Sequence, residues 1–233
     1  MKTETVSHKV PQRLYLSTIP YTLKKDRQSG EKDLELLVDL EKEEGAWLFK
    51  PSTETWCNLV GETFVEEDGM RLVTEIPVIE PGDRATHYHT HPQSVADDLY
   101  EKTMVHVRKS RKKSFDDAVA VVRNLHALGI ALPSRADLVA YLMILSRNVE
   151  GDCDFGIASP YGMIKVEFDK RFSINARAVV DEYAKLCDYK NMYYLDLFIK
   201  NPQGVISDKI DQINKAMQGI FRLSMAYRGT QRK

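Results

Sequence analysis

The spacing of apolar residues predicts a helix and then a group of strands in the first half of the chain. Residues 1–30 lack a regular pattern, and we expect an irregular lead-in there. Leu34, Leu37 and Leu40 recur at helical spacing, which indicates a short amphipathic helix that stops at Gly45. After Gly45 the apolar runs become short and are separated by turn-forming residues, so they predict strands. These runs cover residues 46–49, 55–67, 70–80 and the stretch that ends at Pro92.

Helices dominate the second half of the predicted order. Residues 93–132 combine a charged stretch with an apolar periodic one, and we expect two helices there that form an inserted block. Residues 138–148 place their leucines on one helical face, and a strand pair that turns at residues 159–162 follows. From Ser173 onward the pattern is mainly helical, with two helices broken around residues 200–205. The order of elements predicts an α/β fold of the α+β type.

The composition is typical of a globular domain that is large enough to bury a core. Of the 233 residues, 43% are hydrophobic and 29% are charged. The formal net charge of -1 disfavours nucleic-acid binding, which usually requires a strongly basic surface. No apolar run approaches about eighteen residues and the N-terminus lacks a secretory apolar segment, so we expect a cytoplasmic protein with no membrane association. We expect Cys57, Cys153 and Cys187, which are widely spaced, to be free and mostly buried thiols.

Three of the six histidines stand at alternate positions in the segment THYHTHP, residues 86–92. In a strand, His87, His89 and His91 would point to one face, with the Cα atoms of neighbours roughly 6.6 Å apart. Two adjacent members of this set can reach one metal ion, but the outer two stand too far apart for all three to do so. Zinc bound by two imidazoles needs a further protein ligand and a water molecule to complete four-coordinate geometry. The segment therefore predicts part of a metal site.

Two motifs resemble the signature of the JAMM (JAB1/MPN/Mov34) metalloprotease family. The sequence reads YHTHP at residues 88–92 and PSRAD at residues 133–137. The family pattern is His-(Ser/Thr)-His-Pro followed by Ser-x-x-Asp, with a glutamate upstream. The order of predicted elements over roughly residues 30–170 is also similar to that of the family.

The resemblance implies a set of site residues. His89, His91 and Asp137 would bind Zn²⁺ together with a water molecule, and the Ser134 hydroxyl would donate to the oxyanion of a tetrahedral intermediate. Ser134 also suits the cap of a helix, and the two roles are compatible because a residue at a helix start can present its hydroxyl outward. His87 lies outside the family pattern, so we expect it either to support a ligand or to face solvent.

The chain departs from the family pattern in the spacing of the two motifs. Family members keep Ser-x-x-Asp close behind the second histidine, and a nearer match with Ser94 and Asp97 exists here. We prefer Asp137 because Pro133 precedes its motif, an amphipathic helix follows it, and the expected strand pair comes next. Residues 93–132 would then be a helical insertion beside the site, which a surface position tolerates well.

The upstream glutamate of the family has no unique counterpart in this chain. Alignment on the strand that starts at Ala46 puts Glu44 in the position of the general base, with Glu43 and Glu41 as alternatives. The same acidic run is also typical of the solvated end of a helix.

The resemblance implies a JAB/MPN-like domain over residues 1–172, with a mixed and largely antiparallel sheet flanked by helices, and a helical C-terminal extension over residues 173–233. The family's usual reaction is hydrolysis of an amide bond at the C-terminus of ubiquitin or a ubiquitin-like protein, which would be the substrate. Two alternatives stay open. One is an inactive scaffold whose C-terminal helices bind a protein partner or a second copy of the chain. The other is a metal-binding cupin, suggested by PGDRATHYH, although the glutamate of that fold's first motif is missing.

Overall fold

The computed structural model describes the backbone of residues 12–14, 40, 61–66 and 69–74, and the backbone and side chains of residues 26–39, 45–59, 76–92, 127–169, 175–187 and 201–228. Within these ranges the protein is a mixed α/β structure with a six-stranded sheet, a three-stranded sheet and four helices of twelve residues or more. The strands are β1 (Gln12–Leu14), β2 (Ala46–Lys50), β3 (Thr55–Asn58), β4 (Gly61–Glu66), β5 (Gly69–Thr74), β6 (Arg84–Thr90), β7 (Asp152–Ser159), β8 (Gly162–Phe168) and β9 (Phe221–Tyr227). The helices are α1 (Arg27–Leu40), α2 (Arg135–Arg147), α3 (Ala176–Cys187) and α4 (Pro202–Ala216).

The six-stranded sheet has the order β3-β2-β6-β7-β8-β9, and its strands pair antiparallel except for the parallel pair of β6 and β7. The three-stranded sheet has the order β1-β4-β5. A parallel pair needs a crossover connection, and α2 lies in the segment that joins β6 to β7. The helix of such a crossover runs antiparallel to the strands that it connects, so its first turn lies at the end of the sheet where β6 finishes. This topology brings the end of β6 and the start of α2 together.

Different helices cover the two faces of the six-stranded sheet. α1 packs on one face, in a cluster that includes Trp47 and Tyr88. α2, α3 and α4 contribute buried residues to a second and larger cluster. Successive residues of a strand point to opposite faces, so Tyr88 of β6 joins the α1 side, whereas His87 and His89 contact Tyr141 of α2.

The C-terminal segment differs from the helical extension that the sequence predicted. Residues Phe221–Tyr227 form β9, which pairs antiparallel with β8 at the edge of the sheet. Gly219, with a φ of 79°, lies in the turn between α4 and β9. Phe221 and Leu223 share the larger core cluster with residues of α3 and α4. The expectation of a helical tail is therefore wrong for 221–227, where pairing with β8 decides the conformation.

The strands of the first half also differ from the predicted division. We expected residues 55–67 to form one strand, but this segment forms two strands, β3 and β4, which belong to different sheets. We expected the next strand to reach residue 80, but β5 ends at Thr74. The lead-in, which we expected to be irregular, contains β1, and α1 already begins at Arg27. Most of the predicted insertion, residues 93–126, lies outside the described residues, and residues 127–131 are helical as expected.

The cysteines are free thiols in three different environments. Cys153 is buried, Cys187 is half-buried and Cys57 is exposed, so the expectation of mostly buried thiols is wrong for Cys57. Burial raises the pKa of the Cys153 thiol to about 12, which keeps it protonated and unreactive at neutral pH.

One apolar stretch in the described part of the chain, Ala127–Arg147, has the length and composition of a membrane span. Half of its most apolar part is buried inside the fold. The core helix of a soluble protein can have the same length and composition, so this stretch is weak evidence for a membrane segment. Its last thirteen residues are α2, which carries part of the site described next.

Candidate metal centre

Strand hydrogen bonds hold two of the alternate histidines in place at the end of β6. His89 is in register with Ala46 of β2 on one side and Ile157 of β7 on the other. His91 follows the last residue of the strand, and its backbone N–H donates to the Ala158 carbonyl at 2.8 Å. Both histidines therefore have a backbone position that the sheet fixes.

The residue between these histidines is tied to the start of β2. The Thr90 N–H donates to the Gly45 carbonyl at 3.0 Å, and the Gly45 N–H donates to Thr90 Oγ1 at 2.9 Å. Thr90 is fully buried. This pair of bonds anchors the chain that enters β2 directly beside the site.

The first turn of α2 supplies a carboxylate through a capping box. Ser134 is the N-cap: its Oγ accepts from the Asp137 N–H at 3.1 Å, while Asp137 Oδ2 accepts from the Ser134 N–H at 2.5 Å. The buried Tyr183 hydroxyl of α3 donates to the carbonyl of Pro133, the residue before the cap, at 2.6 Å. These bonds satisfy helix N–H groups that would otherwise lack partners and fix the direction of the Asp137 side chain.

The side chains of His89, His91 and Asp137 converge, and their ligand atoms all lie within 4.8 Å of one another. The two Nε2 atoms are 3.0 Å apart, Asp137 Oδ1 lies 3.4 Å from Nε2 of His89, and Asp137 Oδ2 lies 3.7 Å from Nε2 of His91. Ligand atoms bound tetrahedrally at about 2.0 Å from one ion stand roughly 3.3 Å apart, so the spacing fits such an ion. The histidine side chains are each 8% exposed and that of Asp137 is 18% exposed, so the group is open to solvent mainly on the carboxylate side.

Each imidazole has a partner on the nitrogen that faces away from this group. Nδ1 of His91 lies 2.7 Å from the Ile130 carbonyl oxygen, and Nδ1 of His89 lies 3.2 Å from the Tyr141 hydroxyl. A carbonyl can only accept, so Nδ1 of His91 carries the proton and Nε2 of the neutral ring offers a bare lone pair. Histidines that bind metals typically have this arrangement.

Burial acts on the pKa values of His89 and Asp137. It lowers the pKa of His89 to about 3, so this imidazole is neutral at physiological pH. Burial opposes ionisation of the Asp137 carboxyl, but the two imidazoles and the hydrogen bond from the Ser134 backbone N–H outweigh it, and the pKa lies below its ordinary value. Neutral imidazoles and an ionised carboxylate are the forms in which these side chains bind a metal.

His87 points to the same face of the sheet as His89 but is not a member of this group. Its ring centroid is 6.3 Å from that of His89 and 6.1 Å from those of Tyr141 and Phe155. The residue is 6% exposed, and its Nδ1 has no hydrogen-bond partner among the described residues. Of the two positions expected for His87, the solvent-facing one is wrong.

Together these contacts define a buried His-His-Asp group that could hold a metal ion. No protein-family model, curated protein or solved structure matched the chain on comparison. Two imidazole nitrogens and one carboxylate oxygen are ligands that suit Zn²⁺, and also Fe²⁺ in sites with several open positions.

Ser134 and Glu44 are the residues predicted to be catalytic, and the structure describes Ser134 but not Glu44. The Ser134 side chain is exposed at the helix start, where its oxygen accepts from Asp137. Glu44 and its alternatives Glu43 and Glu41 lie outside the described residues, as do Ser94 and Asp97 of the nearer motif. Their roles stay predictions.

Two groups that hold the histidine rings were not predicted as parts of the site. Tyr141 follows Asp137 by one helical turn, so its position on the same face of α2 was a usable signal. The Ile130 carbonyl had no such signal, because a backbone group acquires a partner only through the path of the chain.

Proposed function

We propose that this protein is a zinc-dependent hydrolase of the JAMM type, which cleaves an amide bond at the C-terminus of ubiquitin or a ubiquitin-like protein. The observation that carries the proposal is the convergence of His89, His91 and Asp137 at spacings that suit one tetrahedral ion. The motif that resembles the family provides all three residues, although a long stretch of sequence separates the second histidine from the aspartate.

Zinc is the metal that we propose for this group. Three protein ligands would leave one position for solvent or substrate, as in catalytic rather than structural zinc sites. The partial exposure of Asp137, 18%, supports an open side to the site. Zinc bound there would supply a nucleophilic water near neutral pH and would polarise the substrate carbonyl.

Ser134 would stabilise the charge that develops on the substrate oxygen. Its oxygen accepts the helix hydrogen bond from Asp137, so its hydroxyl proton can be directed outward to another acceptor. Removal of one donor to an oxyanion typically costs about 3 kcal/mol of transition-state stabilisation.

Glu44 would act as the general base, taking a proton from the attacking water and passing it to the leaving amine. Support comes from its covalent position, one residue before Gly45. Gly45 is hydrogen-bonded to Thr90, which lies between the two ligand histidines. A carboxylate at this point of the chain is therefore attached close to the reacting centre.

We also propose that the mixed sheet and its helices are a variant of the JAB/MPN fold, with an insertion over about residues 93–132. Support comes from the order of elements: a helix precedes β2, the histidine strand is β6, and α2 with its capping box precedes the strand pair β7–β8. The substrate and partner would then be ubiquitin or a relative of it, in the cytoplasm.

Metal analysis of the purified protein tests the zinc assignment. We expect one zinc per chain, lost in His89→Ala and Asp137→Ala, because each substitution removes a ligand. Asp97→Ala is the matched control from the nearer motif and should keep its zinc. Iron in place of zinc contradicts the zinc assignment. Zinc loss in Asp97→Ala alone contradicts the choice of Asp137 as the third ligand. A protein that contains no metal favours the scaffold alternative.

The base is tested with Glu44→Gln and a ubiquitin-like fusion that carries a cleavable group at its C-terminus. We expect normal zinc content and no measurable cleavage, because glutamine keeps the shape of the side chain but its neutral amide cannot act as a base. Glu41→Gln and Glu43→Gln are the matched controls and should retain activity. Unchanged turnover in Glu44→Gln rules out its role as the base.

A further inference from the structure

Tyr141 is a buried phenol that the proposed reaction does not use. It lies on α2 one turn after Asp137 and is 1% exposed. Its ring stacks on Phe155 of β7, with centroids 4.1 Å apart and an interplanar angle of 24°. The stacked ring holds the hydroxyl at a fixed point, 3.2 Å from Nδ1 of His89.

The two histidines of the metal group differ in what their outer nitrogens contact. Nδ1 of His91 faces the Ile130 carbonyl, which can only accept a proton, so the tautomer of His91 is fixed before any metal arrives. Nδ1 of His89 faces a hydroxyl, which can either donate or accept. His89 can therefore exist as either neutral tautomer.

Without a metal, one tautomer of His89 fits the surrounding groups best. Nε2 of His89 lies 3.0 Å from Nε2 of His91, and the latter carries only a lone pair when Nδ1 of His91 is protonated. With its proton on Nε2, His89 can donate a hydrogen bond to Nε2 of His91, and the Tyr141 hydroxyl then donates to the unprotonated Nδ1 of His89. A metal at the centre needs the opposite tautomer, with Nε2 bare and the proton on Nδ1.

We infer that Tyr141 is a positioning residue for the metal: its hydroxyl oxygen accepts the Nδ1 proton of His89 when Nε2 binds the ion, and so selects the ring orientation and tautomer that bind. This inference rests on the proposed function only in that the His-His-Asp group holds a metal. Partners of this kind typically contribute 10- to 100-fold to metal affinity.

The test compares Zn²⁺ binding to the chelator-stripped full chain and to Tyr141→Phe, by competition with a chromophoric chelator. Phenylalanine retains the ring that stacks on Phe155 and removes only the hydroxyl. We expect the dissociation constant to rise about 10- to 100-fold, and the visible spectrum of the Co²⁺-substituted protein to shift because the ligand geometry changes.

Tyr88→Phe is the matched control. It also removes a buried tyrosine hydroxyl next to His89 in sequence, but on the opposite face of the sheet, where that hydroxyl contacts Glu31 and Arg27. We expect a loss of stability with unchanged zinc affinity and Co²⁺ spectrum. A loss of affinity of equal size in both variants would mean that general destabilisation is the cause, and it would overturn the inference.

Nitrogen NMR of the zinc-loaded wild-type protein tests the same point without a variant. We expect His89 to be protonated at Nδ1 and bound through Nε2. Binding through Nδ1, or a Tyr141→Phe affinity within twofold of the wild type, overturns the role of Tyr141 and leaves the proposed function intact. A wild-type chain that binds no Zn²⁺ overturns both.

Discussion

Ser134 has two roles that a single substitution can separate, because one role acts on folding and the other on turnover. In Ser134→Ala, the Asp137 N–H loses its 3.1 Å hydrogen bond to Oγ. The other half of the capping box survives, since the Ser134 N–H that donates to Asp137 Oδ2 belongs to the backbone. We therefore expect a loss of only about 1 kcal/mol in the free energy of unfolding. Retention of this second bond should also keep Asp137 in place and the zinc content normal.

The effect on catalysis should be larger than the effect on stability. Loss of a hydroxyl donor to the oxyanion should cost about 3 kcal/mol, or roughly a hundredfold in kcat. The assays are urea unfolding of the zinc-loaded protein and turnover of a ubiquitin-like substrate at saturating concentration. Ser134→Thr keeps both the acceptor and the donor, so it should stay within a few-fold of the wild type.

The control for the capping role is Asn201→Ala. Asn201 caps α4, a helix that carries no member of the metal group, by accepting from the Gly204 N–H at 2.7 Å. It should lose about as much stability as Ser134→Ala, again about 1 kcal/mol, with unchanged kcat. If folded and zinc-loaded Ser134→Ala turns over as fast as Asn201→Ala, the oxyanion role is refuted and Ser134 is only a helix cap.

Two further predictions concern stability. Burial lowers the pKa of His87 from 6.5 to about 4, so the stability that its neutral form contributes is complete above pH 6.5 and is lost as the pH falls towards 4. At pH 5 this loss should be about 2 kcal/mol, measured in the presence of a chelator as the difference in unfolding free energy between wild type and His87→Phe. Equal pH profiles of the two proteins would contradict the prediction. Asn148→Ala should cost about 2–3 kcal/mol of unfolding free energy, because the buried Ile79 N–H and the Pro77 carbonyl lose side-chain partners at 2.7 and 3.0 Å. Asn214→Ala removes hydrogen bonds from a half-buried side chain to the Leu223 backbone, so it should cost less, and the reverse order would contradict this reasoning about buried hydrogen bonds.

Local patterns in the sequence were sufficient to predict several parts of the site. The Ser-x-x-Asp motif predicted a helix start at Ser134, and the structure has a capping box there, because the bonds of a cap join residues only three positions apart. Alternation predicted that His87 and His89 share one face of a strand, which is a property of the strand backbone itself. The existence of these elements therefore followed from neighbours along the chain.

The pattern of the histidines alone did not decide which pair would meet an aspartate. The parallel pairing of β6 with β7 places the first turn of α2 at the end of β6, so His89 and His91 lie beside Asp137. His87 lies further back along the strand and packs against Phe155 instead. Only the crossover between strands that are distant in sequence produced this arrangement, and no local propensity contains that information.

Tertiary contacts likewise decided the features that local sequence patterns did not predict. β9 is a strand because the edge of β8 offers it backbone partners and the core accepts Phe221 and Leu223, although the local pattern indicated a helix. The sequence by itself determined which side chains could bind a metal and that a strand carrying the histidines and a helix starting at Ser134 would exist. The tertiary structure decided which of those side chains share one point in space, because hydrogen bonds and core packing between distant segments fix their relative positions.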